Sequence, residues 1–215
     1  MGEKKVMEKA LFKAALPYLT TPYLLSLYSD YKSPRDKIKN LVKNGDLIHL
    51  KQGLYILGEM YGRTYSKEVI SGILYGPSAV SLEYALSFHG LIPERVEEIT
   101  CICFKRAKIF RTPIGRFSYT FLPVEKYTCG LTYQMTELGN YLIASPEKAL
   151  CDKVYFSSVK GKGELSDFLF SELRIEKGRL RKLDPALLSR LAQVYRRMNC
   201  RYLVEMVIGI RQEKE

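Results

Sequence analysis

The sequence is poor in the groups that most reaction chemistry uses. It has two histidines in 215 residues, His49 and His89, far apart in the chain. Its five cysteines include no CxxC pair, so no zinc-ligand spacing is present. Cys101 and Cys103 stand two apart in an apolar run. They share one face of a strand and are unable to bridge each other without distortion. All five cysteines read as reduced thiols, mostly buried. No GxSxG, P-loop or HExxH pattern occurs. Gly161-Lys162-Gly163 is too short for a phosphate loop and follows no apolar strand. Glu97, Glu98 and Glu125 form no recognisable nuclease pattern. The expectation is a chain without metal, cofactor or catalytic residue. No apolar run approaches the roughly 18 residues of a membrane span. The opening MGEKKVMEKALFKAAL carries acids and helical periodicity where a signal peptide has an apolar core. Val6 stands where an acylation motif wants Ser or Thr. A cytoplasmic protein with no membrane partner is expected.

What is present in excess is positive charge. The chain carries 34 Lys and Arg against 23 Asp and Glu, a formal net charge of +11. The excess is spread along the chain, with no basic tail. A folded basic protein of this kind favours a polyanionic partner, and nucleic acid is the commonest one. Hydrophobic residues at 47% and charged residues at 27% are ordinary globular values, and the length suits one large domain or two small ones.

The first sixty residues give the sharpest pattern. Val6, Met7, Ala10, Leu11 and Ala14 recur at helical spacing, which predicts a helix over 3–15. Thr20-Thr21-Pro22 marks a second start, with Thr21 as cap. Ser33-Pro34-Arg35-Asp36 is a third, with Ser33 as cap and Asp36 where a capping-box carboxylate belongs. Ile38, Leu41 and Val42 make its buried stripe, and Gly45 ends it. Leu47 to Leu50 and Leu54 to Leu57 flank Lys51-Gln52-Gly53 as a β-hairpin. Helix, helix, tight turn, helix and hairpin with a cationic tip predict a winged helix-turn-helix. In that arrangement the third helix enters a major groove. Asn40 suits adenine and Arg35 guanine. Lys32, Lys37, Lys39 and Lys43, with the amides at Thr21 and Ser33, suit phosphates. Lys51 and Gln52 at the wing tip reach for backbone or minor groove. The bland alternative is a solvated face on a three-helix unit that serves protein contact.

The fold class expected is α+β: a winged helix-turn-helix over residues 1–60, then a mixed α/β domain over 61–215 with a helical tail from about 157. Breaks at Gly58 and Gly62 put the boundary near Glu59 to Tyr65. Tyr65 to Leu74 suits a short helix. Val80 to Gly90 reads as a helix closed by glycine, with His89 as a cap or satisfied core residue. Ile99 to Phe104 is apolar on both faces, which predicts an internal strand. Lys108 to Phe121 predicts a hairpin turning at Thr112–Gly115. Tyr133 to Ala144 adds strands with Gly139-Asn140 as the turn, and Ser145-Pro146-Glu147 starts another helix. Lys105, Arg106, Lys108, Arg111 and Arg116 make a second basic surface, for DNA or for an acidic partner. Arg190, Arg196, Arg197 and Arg201 lie on or beside a helix of the tail.

Four segments resemble the AbiEi-type antitoxins of abortive phage infection. They are Ser33 to Leu57 (SPRDKIKNLVKNGDLIHLKQGLYIL), Val80 to Pro93 (VSLEYALSFHGLIP), Arg111 to Tyr119 (RTPIGRFSY) and Ala144 to Leu150 (ASPEKAL). They occur in the family's order across about residues 20–155. The resemblance implies a transcriptional repressor of its own operon that binds inverted repeats in the promoter. It implies a second domain that acts as antitoxin against a nucleotidyltransferase toxin, without a stable complex between the two, in a type IV toxin-antitoxin system. It implies no enzyme. A monomer or weak dimer is the expectation for the chain itself. It places Arg35, Lys37, Lys39, Asn40 and Lys43 on the recognition helix and Lys51 and Gln52 on the wing. The family wing is often richer in Arg, the better fork for a minor groove. A solo regulator without a toxin, and a DNA-processing enzyme, are the rival readings of the residues.

Overall fold

A computed structural model describes residues 8–213 of the chain. They form a mixed α and β structure on two sheets, one of three strands and one of six. Among the described residues, no helix is long and apolar enough to cross a membrane.

The helix expected over 3–15 is corrected over its described part. Lys9–Lys13 form a short 3-10 helix that buries Leu11, and the chain extends from Ala14. Val6 and Met7 lie outside the described residues. The extension leads into β1 (Tyr18–Thr20), a strand with no periodicity in the sequence because it is three residues long. Thr20 pairs with Leu54 across the sheet. That pairing holds Thr20 extended, as an N-cap must be. Its Oγ1 accepts from the Tyr23 amide at 3.4 Å, and α1 (Thr21–Leu27) follows. The cap is therefore Thr20, one residue before the expected Thr21.

Helix α2 (Pro34–Asn44) begins after Ser33 and ends at Gly45, whose φ of 76° permits the left-handed close. The hairpin β2 (Leu47–Lys51) and β3 (Leu54–Leu57) joins β1 in the order β1-β3-β2. Gly58 leaves β3 against the end of α2. Its amide donates to the Asp46 carbonyl at 2.8 Å, and a Cβ there would lie 2.0 Å from the Gly45 oxygen.

The larger unit carries α3 (Lys67–Leu74), β4 (Ser78–Val80), α4 (Leu82–Phe88), β5 (Ile99–Cys103), β6 (Lys108–Thr112), β7 (Gly115–Phe121), α5 (Val124–Thr128), β8 (Leu131–Thr136), β9 (Gly139–Ala144) and α6 (Pro146–Phe156). The rest is helical: α7 (Lys162–Asp167), a π turn over Phe168–Glu172, α8 (Lys177–Arg181), α9 (Pro185–Tyr195) and α10 (Met198–Gln212). The strand order is β6-β7-β5-β4-β9-β8. Strand β5 is internal, as its apolar faces predict. Two expectations are corrected. Val80 belongs to a strand rather than a helix, because it pairs with Cys101 on one side and Ile143 on the other; long-range pairing overrides its helical spacing. The β8–β9 turn is Glu137-Leu138, and Gly139-Asn140 already pair with Thr136 and Met135.

The β2–β3 hairpin is the wall between two cores. Leu47 and Leu57 pack with Leu24, Ile38 and Leu41 in the smaller one. Leu50, Leu54 and Ile56 face the larger one, beside Ile70, Leu74 and Val80. The joint between the units is also polar. The Ser66 amide donates to the Tyr18 hydroxyl at 3.0 Å. Arg63 reaches back to the carbonyls of Ala15 and Phe12. Glu68 accepts from the Ser66 hydroxyl and the Tyr84 hydroxyl.

Burial works to raise the Glu68 pKa, but the bonds from Ser66 and Tyr84 outweigh it and hold the carboxyl below its ordinary value. A depressed folded-state pKa stabilises above the unfolded value, about 4.3, and that contribution is lost as pH falls through the folded value. Glu68→Gln is therefore expected to flatten the fall in melting temperature between about pH 5 and pH 2. Parallel melting curves for wild type and variant across that window would contradict it.

Candidate nucleic-acid interface

Helix α2 presents one exposed face. Lys32 just before it, then Arg35, Asn40 and Lys43 along it, and Gln52 at the hairpin tip are all exposed. None of them makes a side-chain hydrogen bond or ion pair with another described residue. The physical reason is the stripe beneath: Ile38 and Leu41 are buried in the smaller core, which turns the intervening positions outward. Val42, expected in the stripe, is half-buried at its edge. A groove of about 580 Å³ runs between α2 and the hairpin, lined by Thr21, Arg35, Ile38, Lys39, Val42, His49, Gln52 and Tyr55. His49 and Tyr55 are register partners across the hairpin, with ring centroids 5.1 Å apart. Sequence reading missed both as groove walls; their alternation with buried Leu50 and Leu54 is the signal that was available.

Five of the expected contact residues, Thr21, Ser33, Lys37, Lys39 and Lys51, already have partners within the fold. The Thr21 amide donates to the Gly53 carbonyl at 3.1 Å. Ser33 keeps its cap position, but its hydroxyl donates to Asp36 Oδ2 at 2.6 Å instead of accepting from the helix. That bond, followed by Lys39 at 3.2 Å, holds the Asp36 carboxyl below its ordinary pKa. The Asp36 charge sits at the N-terminus of α2 and offsets Lys39 there. Lys37 faces the preceding segment: its ammonium lies 2.6 Å from Glu8 and 5.0 Å from the centre of the Tyr31 ring. Lys51 points into the joint and donates to the carbonyls of Ile73 and Leu74 at the end of α3. Burial, then the charges of Lys108 and Lys105, lower its pKa.

The second basic surface divides in the same way. Tyr75 gathers the lysines: Lys105 and Lys108 lie 5.7 and 5.5 Å from its ring centre, and its hydroxyl donates to the Arg106 carbonyl at 3.1 Å. Arg116 is paired with Glu98 at 3.2 Å. Arg106 and Arg111 are exposed, and Arg111 stands opposite Arg116 in the β6–β7 ladder. The structure brings Lys51 to this group and away from α2.

A polar cluster that sequence reading missed lies inside the larger unit. Lys148 Nζ donates to Asp152 Oδ1 at 2.6 Å and also to the Tyr195 hydroxyl. Tyr195 donates to the same carboxylate oxygen, and Ser81 to the other at 2.6 Å. Burial, then the Asp152 charge, hold the Tyr195 hydroxyl far above its ordinary pKa. None of the four is more than 1% exposed, so no substrate reaches them; the set ties α6 to α9 and to the start of α4. The Lys148–Asp152 spacing of four on a helix was the available signal. The thiols are equally closed: Cys101, Cys103, Cys151 and Cys200 are buried, and Cys129 is half-buried. Burial pushes Cys101 up to about 12, which makes it a poor nucleophile. His89 donates from Nε2 to the Ala144 carbonyl, 2.8 Å away, and is thus a satisfied residue of the fold.

Fold and surface together define a mixed α and β protein whose N-terminal unit offers an exposed cationic helix beside a hairpin. No family model matches this chain, and no curated protein matches it.

Proposed function

We propose that the N-terminal unit, residues 1–60, is a winged helix-turn-helix and that the protein is a cytoplasmic DNA-binding repressor. The observation that carries this is the exposed set on α2, Arg35, Asn40 and Lys43, with Lys32 before it and Gln52 on the hairpin, none of which pairs with another described residue. Desolvating such groups is favourable only against a polar, negatively charged partner. An α-helix that carries an exposed guanidinium and an exposed side-chain amide, neither bonded to another described residue, fits a major groove. Lys37, Lys39 and Lys51 do less in this reading than their charges suggest, since each already has a partner. The resemblance to the AbiEi-type antitoxins extends the proposal. The DNA is the protein's own promoter with inverted repeats, and the counterpart is a nucleotidyltransferase toxin that the protein counters without forming a stable complex. The larger unit then carries the antitoxin role and is no enzyme.

The test is binding to a labelled fragment of the upstream region against a scrambled one, across a salt series. A preference of about a thousandfold is expected for a specific regulator. Lys43→Ala is expected to lower the salt slope by about 1, the loss of one phosphate contact. Lys51→Ala is expected to leave that slope unchanged and to lower the melting temperature instead. Equal affinity for both fragments, or the reverse pattern between the two lysines, would count against this assignment of the face.

A further inference from the structure

The two edges of the six-stranded sheet are built differently. Strand β6 closes one edge with Lys108 and Arg111, charges of the kind that keep an edge from pairing with another chain. Strand β8 closes the other with Leu131-Thr132-Tyr133-Gln134-Met135-Thr136, which has no charge, no proline and no bulge in its register with β9. Two of its three apolar side chains are out in solvent, Tyr133 at 59% and Met135 at 79% exposed, while Leu131 is half-buried against the larger core. The ladder closes at Thr136–Gly139 around a two-residue turn, which makes that pair a hydrogen-bonded one. Alternation then leaves the N–H and C=O groups of Leu131, Tyr133 and Met135 pointing away from β9. No described group bonds to them.

We propose that β8 pairs antiparallel with β8 of a second copy of this chain, so that the two sheets run on as one across a two-fold axis. Charge selects this occupant. Two chains of +11 repel over most of their surfaces, and β8 is six consecutive residues where they meet without opposing charges. An antiparallel strand pair is also self-complementary, because each copy supplies the same free donors and acceptors to the other. One strand pair with two exposed side chains from each copy makes a small interface, and a weak, reversible dimer follows. The pairing does not depend on DNA binding. Its two-fold axis would match an inverted repeat if the proposed function holds.

Sedimentation of the full chain is the test, with concentration raised to roughly 200 µM to reach a weak interface. Wild type is expected to pass from monomer to dimer. Met135→Lys puts like charges at the contact, and Met135→Pro removes one outer donor while leaving the β9 ladder intact. Each is expected to weaken dimerisation at least tenfold at unchanged circular dichroism. Met198→Lys, at an exposed site on α10, is expected to dimerise as wild type does. Hydrogen exchange reads the same edge without mutation: the amides of Leu131, Tyr133 and Met135 are expected to slow as concentration rises. A wild type that stays monomeric throughout, or a dimer that persists in both Met135 variants with those amides unprotected, would overturn the proposal.

Discussion

Lys148→Ala is expected to cost about 3–5 kcal/mol of folding stability, the usual result of removing one partner from a buried ion pair. The reason lies in what stays behind. Asp152 would keep bonds from Ser81 and Tyr195 but lose its counter-charge in a site without water access. Deleting the lysine stem also leaves a cavity beside Gly130, which packs against that stem. At this chain length each kcal/mol corresponds to about 2–4 °C, so the melting temperature is expected to fall by roughly 6–20 °C. The double variant Lys148→Met with Asp152→Leu removes both charges and keeps apolar volume. It is expected to recover much of the loss, because a buried pair is often worth little over a well-packed apolar one. Calorimetry on the three proteins decides it. A Lys148→Ala protein melting within a degree or two of wild type would mean that the cluster is hydrated and not structural.

Arg35→Ala and Asn40→Ala are each expected to weaken operator binding by about 1–3 kcal/mol, roughly five- to 150-fold, with relaxed preference at the base pair contacted. Both side chains are exposed on α2 and bond to no other described residue, so folding stability should change by less than about 0.5 kcal/mol. The two effects separate a reading residue from a structural one. Competition with operators mutated one base pair at a time is the measurement. The expected result is that the penalty for a mismatch disappears in the variant at one position only. Uniform weakening across all the competitors would reassign Arg35 or Asn40 to backbone contact. Binding equal to wild type for both would remove α2 from the interface.

Local chemistry was legible in the sequence wherever one residue type determines geometry. Ser33-Pro34 starts α2, and Gly45 ends it at a positive φ. Gly53 turns the hairpin, and Ser145-Pro146 opens α6 with the serine accepting from the Lys148 amide. Apolar spacing placed Ile38 and Leu41 inside and β5 at the sheet interior, because burial follows periodicity. It also fixed which α2 positions face outward, and so the candidate face itself. Tertiary structure alone decided the rest. Strands β1 and β4 exist only because distant partners pair with them, and three residues hold no period of their own. Thr20 rather than Thr21 caps α1 because β3 holds Thr20 extended. Lys37, Lys39, Lys43 and Lys51 look alike in sequence; long-range contacts give Lys37 to Glu8 and Lys51 to the end of α3, a neighbour on its own helix turn gives Lys39 to Asp36, and Lys43 pairs with no described residue. A charge is written in the sequence, but whether it is available to a partner depends on what the folded chain brings within reach of it.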